Sequence, residues 1–242
     1  MQHGLGTTWL QEILWQLYNN GEKSRAKIFD RVPMLERGTS PDRVDVRSLP
    51  SPRLLHSHVT YDVIPKGKSD ETWCKYVYVA RNPKDVAVSF YEFMKDHGSA
   101  AGYNGPWEFF ARLFVEGKVS YGPWNDHALG WWKHKDDPNV LFLKFEDLKM
   151  DLPSGVRAIA EFLDKPLTED VINKIAEQCS FKGMMKNASN YWLQGTAEGP
   201  KLLRKGEIGD WKNYFTPELN KKFENEVMNK LRGTGLEFDF GN

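Results

Sequence analysis

The chain has little cysteine: two residues, Cys74 and Cys179, in 242. Two thiols make neither a disulfide framework nor a zinc site. No apolar run approaches the roughly 20 residues that a membrane helix needs. The first residues, Met1-Gln2-His3-Gly4-Leu5-Gly6, have no basic start and no apolar core, so they do not read as a signal peptide. Net charge is also absent, with 33 Lys+Arg against 33 Asp+Glu. A neutral chain is not built for bulk electrostatic capture of nucleic acid or of a membrane surface. An anionic ligand would have to be held by a few placed cations and backbone N–H groups. There is no internal repeat and no low-complexity stretch. These absences predict a reduced, cytoplasmic, soluble protein. In that setting Asn187-Ala188-Ser189, a glycosylation acceptor pattern, reads as chance.

What is plentiful is aromatic: 14 Phe, 9 Trp and 9 Tyr argue against disorder. The length fits one domain over residues 1–242. Trp9, Leu10, Ile13, Leu14 and Leu17 recur at helical spacing, with Gly4, Gly6, Thr7 and Thr8 at the helix start. Residues 20–52 are charged and broken by Pro33, Pro41, Pro50 and Pro52; they read as connection, with a short strand at Lys27–Phe29. Arg53–Val59 reads as another short strand, followed by a polar loop. Lys75–Ala80 is β-rich and nearly all apolar, the pattern of a fully buried strand. Arg81–Asp85 then turns into a helix carrying Val86, Val88, Phe90 and Phe93. Further helices are predicted over Pro106–Phe114, His127–Lys133, Gly155–Leu163 and Thr168–Gln178. A second buried strand, Val140–Leu143, ends in Phe145-Glu146-Asp147. Residues 180–210 read as long and irregular. The last helix starts with Thr216 as N-cap and Pro217 in its first position. Buried strands alternating with helices imply an α/β fold, a parallel sheet with helices on both faces and ligands at the carboxyl ends of its strands.

Four constellations can carry chemistry. Gly6-Thr7-Thr8-Trp9 opens a helix, where first-turn N–H groups and the helix dipole suit a phosphate; a plain Ser/Thr cap is the alternative. The Lys of a Walker A loop is absent there. Arg81 ends a buried strand, with Ser89 eight residues on, and can pair bidentately with phosphate; a surface Arg paired with Asp85 is the alternative. His56-Ser57-His58 places two imidazoles on one strand face, and His58 has the intrinsic pKa of a general base; an ordinary structural His is the alternative. A metal pair would lack a third ligand nearby. Finally, Arg204-Lys205-Gly206-Glu207-Ile208-Gly209-Asp210-Trp211 joins cations, glycines and an aromatic in a loop able to wrap an anion. A solvated charge run is the alternative.

Taken together, these segments resemble the cytosolic sulfotransferase family, from Gly6 to about Phe223. Arg204-Lys205-Gly206-x-x-Gly209-Asp210-Trp211-Lys212-Asn213-x-Phe215 is similar at every fixed position to that family's R-K-G-x-x-G-D-W-K-N-x-F signature. Tyr78–Ser89 resembles its Y-V-x-R-N-x-K-D-x-x-V-S segment. Gly6-Thr7-Thr8-Trp9 resembles the end of its phosphate loop, Y-P-K-S-G-T-T-W, and Arg53–His58 resembles R-L-L-K-T-H.

The resemblance implies a P-loop-like central parallel sheet and transfer of a sulfuryl group from 3′-phosphoadenosine 5′-phosphosulfate (PAPS) to a small-molecule hydroxyl or amine, without a metal. Carried over by position, Gly6, Thr7 and Thr8 hold the 5′-phosphate. Trp9 and Phe181 sandwich the adenine. Arg81, Ser89, Arg204, Lys205 and Gly206 hold the 3′-phosphate, and His58 takes the acceptor proton. Phe145 and Cys179 occupy nucleotide-binding positions where many members carry Tyr and Thr. Phe93 and Met34 fall near the acceptor pocket, with Arg37 and the 185–200 segment.

There are departures. The phosphate-loop Lys falls on Gly4 and its Pro on His3; losing such a donor typically costs about 10²–10³ in rate. The second family Lys is His56. The family's first strand is expected to be missing, since Met1–Leu5 is too short and Gly-rich to replace it; a short or truncated form with weak transfer follows. The dimer motif K-x-x-x-T-V-x-x-x-E reads here as Lys212, Thr216, Pro217 and Lys221, so a homodimer would rest on a degenerate motif. Two other readings are a catalytically inactive nucleotide-binding protein of the same fold and a P-loop kinase or ATPase. The latter needs the absent loop Lys and has no use for the Arg204–Phe215 loop.

Overall fold

The computed structural model describes residues 5–37, 45–66, 74–96, 102–191 and 202–241. In chain order they form α1 (Leu5–Tyr18), α2 (Ile28–Arg31), a 3-10 turn (Leu35–Arg37), β1 (Tyr76–Ala80), α3 (Pro83–Asp96), α4 (Trp107–Val115), α5 (Trp124–Trp132) and β2 (Val140–Lys144). There follow α6 (Phe145–Met150), α7 (Leu152–Phe162), α8 (Glu169–Cys179), α9 (Phe181–Met185), 3-10 turns at Ala188–Tyr191 and Asp210–Asn213, α10 (Pro217–Glu226) and a closing 3-10 turn at Met228–Leu231. Several starts are fixed by side chains that accept an otherwise orphaned helix N–H. Asp151 accepts from Ser154, Thr168 from Val171, Ser180 from Gly183 and Thr216 from Leu219.

The chain divides into two compact units. Among the described residues, one falls within Val59–Glu146 and Lys205–Asn242; the other falls within Leu5–His58 and Asp147–Arg204. In the first, β1 and β2 pair in parallel, from Tyr76 opposite Val140 to Ala80 opposite Lys144. Parallel neighbours need a long crossover, and α3 to α5 supply it. The expected parallel sheet is therefore present, as two strands among the described residues. Tyr78, Val79 and Ala80 are buried as a covered strand should be, whereas Leu141, Phe142 and Leu143 are only half-buried. With no further ladder partner among the described residues, the apolar run of β2 stays partly open. An aromatic core that includes Phe90, Phe110, Phe114, Trp124 and Phe223 packs against Phe142 of β2. Tyr78 stacks on Trp131 at 5.1 Å, and its hydroxyl lies 3.0 Å from His127 Nδ1. Burial drives the Tyr78 phenol pKa well up.

In the second unit α1 packs on α2, α7 and α8. Ile13, Leu17, Ile28, Val156, Ile159 and Ile175 are fully buried there, each stabilising by about 1.5–3 kcal/mol. Two expected strands do not form. Lys27 is extended, but Ile28 begins α2. Arg53–Val59 makes a single parallel bridge, Met34 with His56, in which the Leu35 N–H donates to His56 O at 2.9 Å and the His56 N–H to Pro33 O at 3.1 Å. The ladder cannot extend, because Pro33 has no N–H to donate and the chain turns into a 3-10 helix at Leu35. Phe145-Glu146-Asp147 opens α6 rather than ending a strand, and the irregular stretch after 180 contains α9 and a 3-10 turn. No helix of the described residues is long and apolar enough to cross a membrane.

Candidate active site

In the first unit the candidate residues Arg81 and Phe145 stand at the carboxyl ends of the paired strands. Ala80 and Lys144 are the last partners in register, so Arg81 and Phe145, the next residue of each strand, come out side by side. The Arg81 guanidinium lies 4.4 Å over the Phe145 ring. Both side chains are almost fully buried. Arg81 Nη2 donates to Glu207 O at 2.6 Å and is 3.2 Å from Asp85 Oδ2. The Arg-Lys-Gly loop is thus drawn to the end of β1 by its own main chain. Gly206 and Gly209 take φ of +66° and +89°, a region that disfavours a Cβ. Lys205 Nζ sits 2.6 Å from the buried Asp210 Oδ1. Ser89 is buried on α3, and Phe93 is half-buried against the aromatic core.

In the second unit the start of α1 carries Gly6, Thr8 and Trp9 in buried positions and Thr7 half-buried. Trp9 Nε1 donates to Cys179 O at 2.6 Å, which ties the indole to the end of α8, two residues before Phe181. Cys179 is buried, and burial pushes its thiol pKa well above the ordinary value. Phe181 is half-buried at the start of α9. His58 is 5% exposed, and its N–H donates to Glu36 Oε1. Its ring meets that of His56 edge-on, with centroids 5.8 Å apart. His56 Nδ1 lies 2.8 Å from Val32 O; a carbonyl only accepts, so Nδ1 carries the proton. Met34 is brought beside His56 by the bridge between them. Arg204 is half-buried in this unit.

Sequence reasoning passed over several supporting groups. Glu146, 1% exposed, accepts from the Asn82 N–H at 2.8 Å, and burial raises its pKa against the opposing pull of the Asn82 and Glu146 N–H groups and of Arg81. Lys84 lies over the Trp211 ring at 4.5 Å and pairs with Glu224. Asp85 was visible only as a neighbour of Arg81 at i+4; its contacts with Gly209 and Trp211 lie 124 and 126 residues away along the chain. His3, Gly4 and residues 192–200 of the expected acceptor segment lie outside the described residues. Among the described residues no group of three or more His, Cys, Asp or Glu is placed to hold a metal ion.

Open α/β proteins bind their ligands outside the carboxyl ends of the parallel strands, and here a buried Arg and a Gly-bearing loop stand at that end of β1. The sulfotransferase domain family matches residues 4–235. A rat protein, sulfotransferase 1 family member D1, is 39% identical over 248 residues, covering 96% of this chain and 82% of its own. Among solved structures, mouse sulfotransferase SULT7A1 complexed with PAP is 30% identical with a TM-score of 0.72, covering 94% of this chain and 80% of its own. Retinol dehydratase in a complex with retinol and PAP is 25% identical with a TM-score of 0.79, covering 97% and 80%. The chain belongs to the sulfotransferase family. It is a sulfotransferase with the α/β fold its motifs implied.

Proposed function

We propose that residues 1–242 work as one cytoplasmic sulfotransferase domain that moves a sulfuryl group from PAPS to the hydroxyl or amine of a small-molecule acceptor. The observation that carries the reading is the Arg-Lys-Gly loop folded onto Arg81 at the end of β1, with Glu207 O accepting from the guanidinium. The PAP held by two structural relatives supports the same donor, and the retinol held by one supports a small acceptor.

The residues suit such a nucleotide. The start of the 14-residue α1 offers first-turn N–H groups and two hydroxyls, Thr7 and Thr8, to the 5′-phosphate. Trp9, held by Cys179 O, presents its ring to the adenine from one side and Phe181 from the other. Arg81, Ser89, Arg204, Lys205 and Gly206 take the 3′-phosphate, and Phe145 fixes the plane of Arg81. The nucleotide supplies the activated sulfuryl group; positioning and charge stabilisation fall to the chain. His58 removes the acceptor proton as the acceptor oxygen or nitrogen bonds to sulfur. Met34 and Phe93 line the acceptor side. No metal enters this scheme, nor any nucleic acid or membrane partner. A homodimer would need contacts beyond the family motif, because Thr216 is engaged as the α10 cap and Pro217 opens that helix.

His58→Ala should lower sulfuryl transfer about 10²–10⁴-fold while calorimetric affinity for 3′-phosphoadenosine 5′-phosphate stays unchanged. Unchanged transfer would remove its role as base. A second reading, nucleotide binding without turnover, is favoured by Gly4 and His56 standing where the family carries lysines. Single-turnover transfer to a panel of phenols discards that reading if product forms.

A further inference from the structure

Asp85 is 1% exposed and has no part in the roles above. Its carboxylate nevertheless collects donors from three places in the first unit. Oδ1 accepts the Trp211 N–H at 3.0 Å; Oδ2 accepts the Gly209 N–H at 2.9 Å and Asn82 Nδ2 at 3.0 Å, and lies 3.2 Å from Arg81 Nη2. The Asp85 N–H in turn donates to Asn82 Oδ1 at 2.9 Å, which ties the residue to the chain entering α3. Three of these four contacts converge on Oδ2 and one falls on Oδ1. The end of β1, the first turn of α3 and the loop at 209–211 therefore meet on one buried charge.

We infer that Asp85 is a positioning residue for 3′-phosphate recognition, holding Arg81 and the loop that opens with Lys205-Gly206 in one arrangement. The inference rests on the nucleotide reading above. Its negative charge balances a guanidinium that burial would otherwise penalise. Its bonds to two main-chain N–H groups are charge-assisted, hence stronger and shorter than neutral ones. They anchor the loop just beyond Glu207, whose carbonyl accepts from the same Arg81 nitrogen that Asp85 faces. An Asn here keeps the shape and loses the charge. Its amide also sets N–H donors against the N–H groups of the loop or against Arg81.

The test is Asp85→Asn, titrated calorimetrically with 3′-phosphoadenosine 5′-phosphate and with adenosine 5′-monophosphate, which lacks the 3′-phosphate. The variant should lose about 10–100-fold in affinity for the bisphosphate while its affinity for the monophosphate stays within about twofold. An equal fall for both ligands, as a merely structural role would give, or no fall for either, overturns the inference. A wild-type protein with no preference for the bisphosphate overturns the nucleotide reading and this inference with it. If the variant does not fold, amide hydrogen exchange of the wild-type protein decides. The bisphosphate should slow exchange at Gly209 and Trp211 about tenfold more than the monophosphate does; equal slowing overturns the inference.

Discussion

Arg31 and Arg81 are each buried with a carboxylate, an aromatic face and a main-chain carbonyl. For Arg31 these are Glu12 at 2.7 Å, Trp15 at 4.7 Å and Ala26 O at 3.1 Å. For Arg81 they are Asp85 at 3.2 Å, Phe145 at 4.4 Å and Glu207 O at 2.6 Å. The difference lies in where each carboxylate spends its remaining acceptor capacity. Glu12 Oε1 accepts from Gln16 Nε2, one turn along the same helix, at 2.8 Å. Tyr191 is buried beside it, its phenol pKa pushed up by burial first and by Glu12 second. Asp85 accepts from main-chain N–H groups of a remote loop. The same chemistry thus locks one helix to its neighbour in the second unit and ties a remote loop to the end of β1 in the first.

That contrast can be broken, most sharply at Arg31. Arg31→Ala strands the Glu12 charge in a place where both partners are about 5% exposed, and should cost about 3–5 kcal/mol in urea unfolding. Nucleotide affinity of the folded fraction should not change. A loss below about 1 kcal/mol would mean that the pair does not lock α1 to α2. Next comes Gly209→Ala. The backbone φ is +89°, and an added Cβ would meet Phe240 O at 3.3 Å. A loss of about 1–2 kcal/mol is expected, together with weaker bisphosphate binding; unaltered binding would detach Gly209 from the anion loop.

The smallest effect concerns Glu146, whose raised pKa makes stability depend on pH. The folded protein holds that proton more tightly than the unfolded chain does. The contribution is therefore full below the ordinary value of 4.5 and is lost as pH rises through the raised one. Glu146→Gln removes this dependence. The Tm difference, variant minus wild type, should become more positive between pH 4.5 and pH 7, and a flat difference would show that burial leaves the acid unperturbed.

The sequence was most legible where one local pattern was long or self-consistent. The apolar run before Arg81 became β1, and Thr216 with Pro217 opened α10. It misled where three to seven residues had to decide alone. Lys27–Phe29 and Arg53–Val59 look extended, but a strand needs a ladder partner, and the chain around Met34, with Pro33 before it, supplies only a bridge. Likewise Phe145 reads as the apolar tail of a strand, yet its ring lies under a guanidinium that follows the neighbouring strand, a fact set by the register of β1 against β2. The motif residues could be named from local pattern together with the family resemblance. Asp85 could be placed beside Arg81 from i+4 spacing, but its bonds to Gly209 and Trp211, and the parts played by Glu146 and Lys84, could not, because they span chain separations that no local pattern encodes.

Those separations also bear on how the protein folds. The contacts of Asp85 with Gly209 and Trp211 close loops of 124 and 126 residues, and the intervening chain includes the whole Asp147–Arg204 stretch of the other unit. Closing so long a loop is entropically expensive and gives nothing back until its ends meet. On a growing chain, Arg81 leaves the ribosome long before the residues that will orient it. The packing of the 209–211 loop onto Asp85 is therefore among the last arrangements this chain can acquire, and a folding intermediate with α3 formed would still lack it.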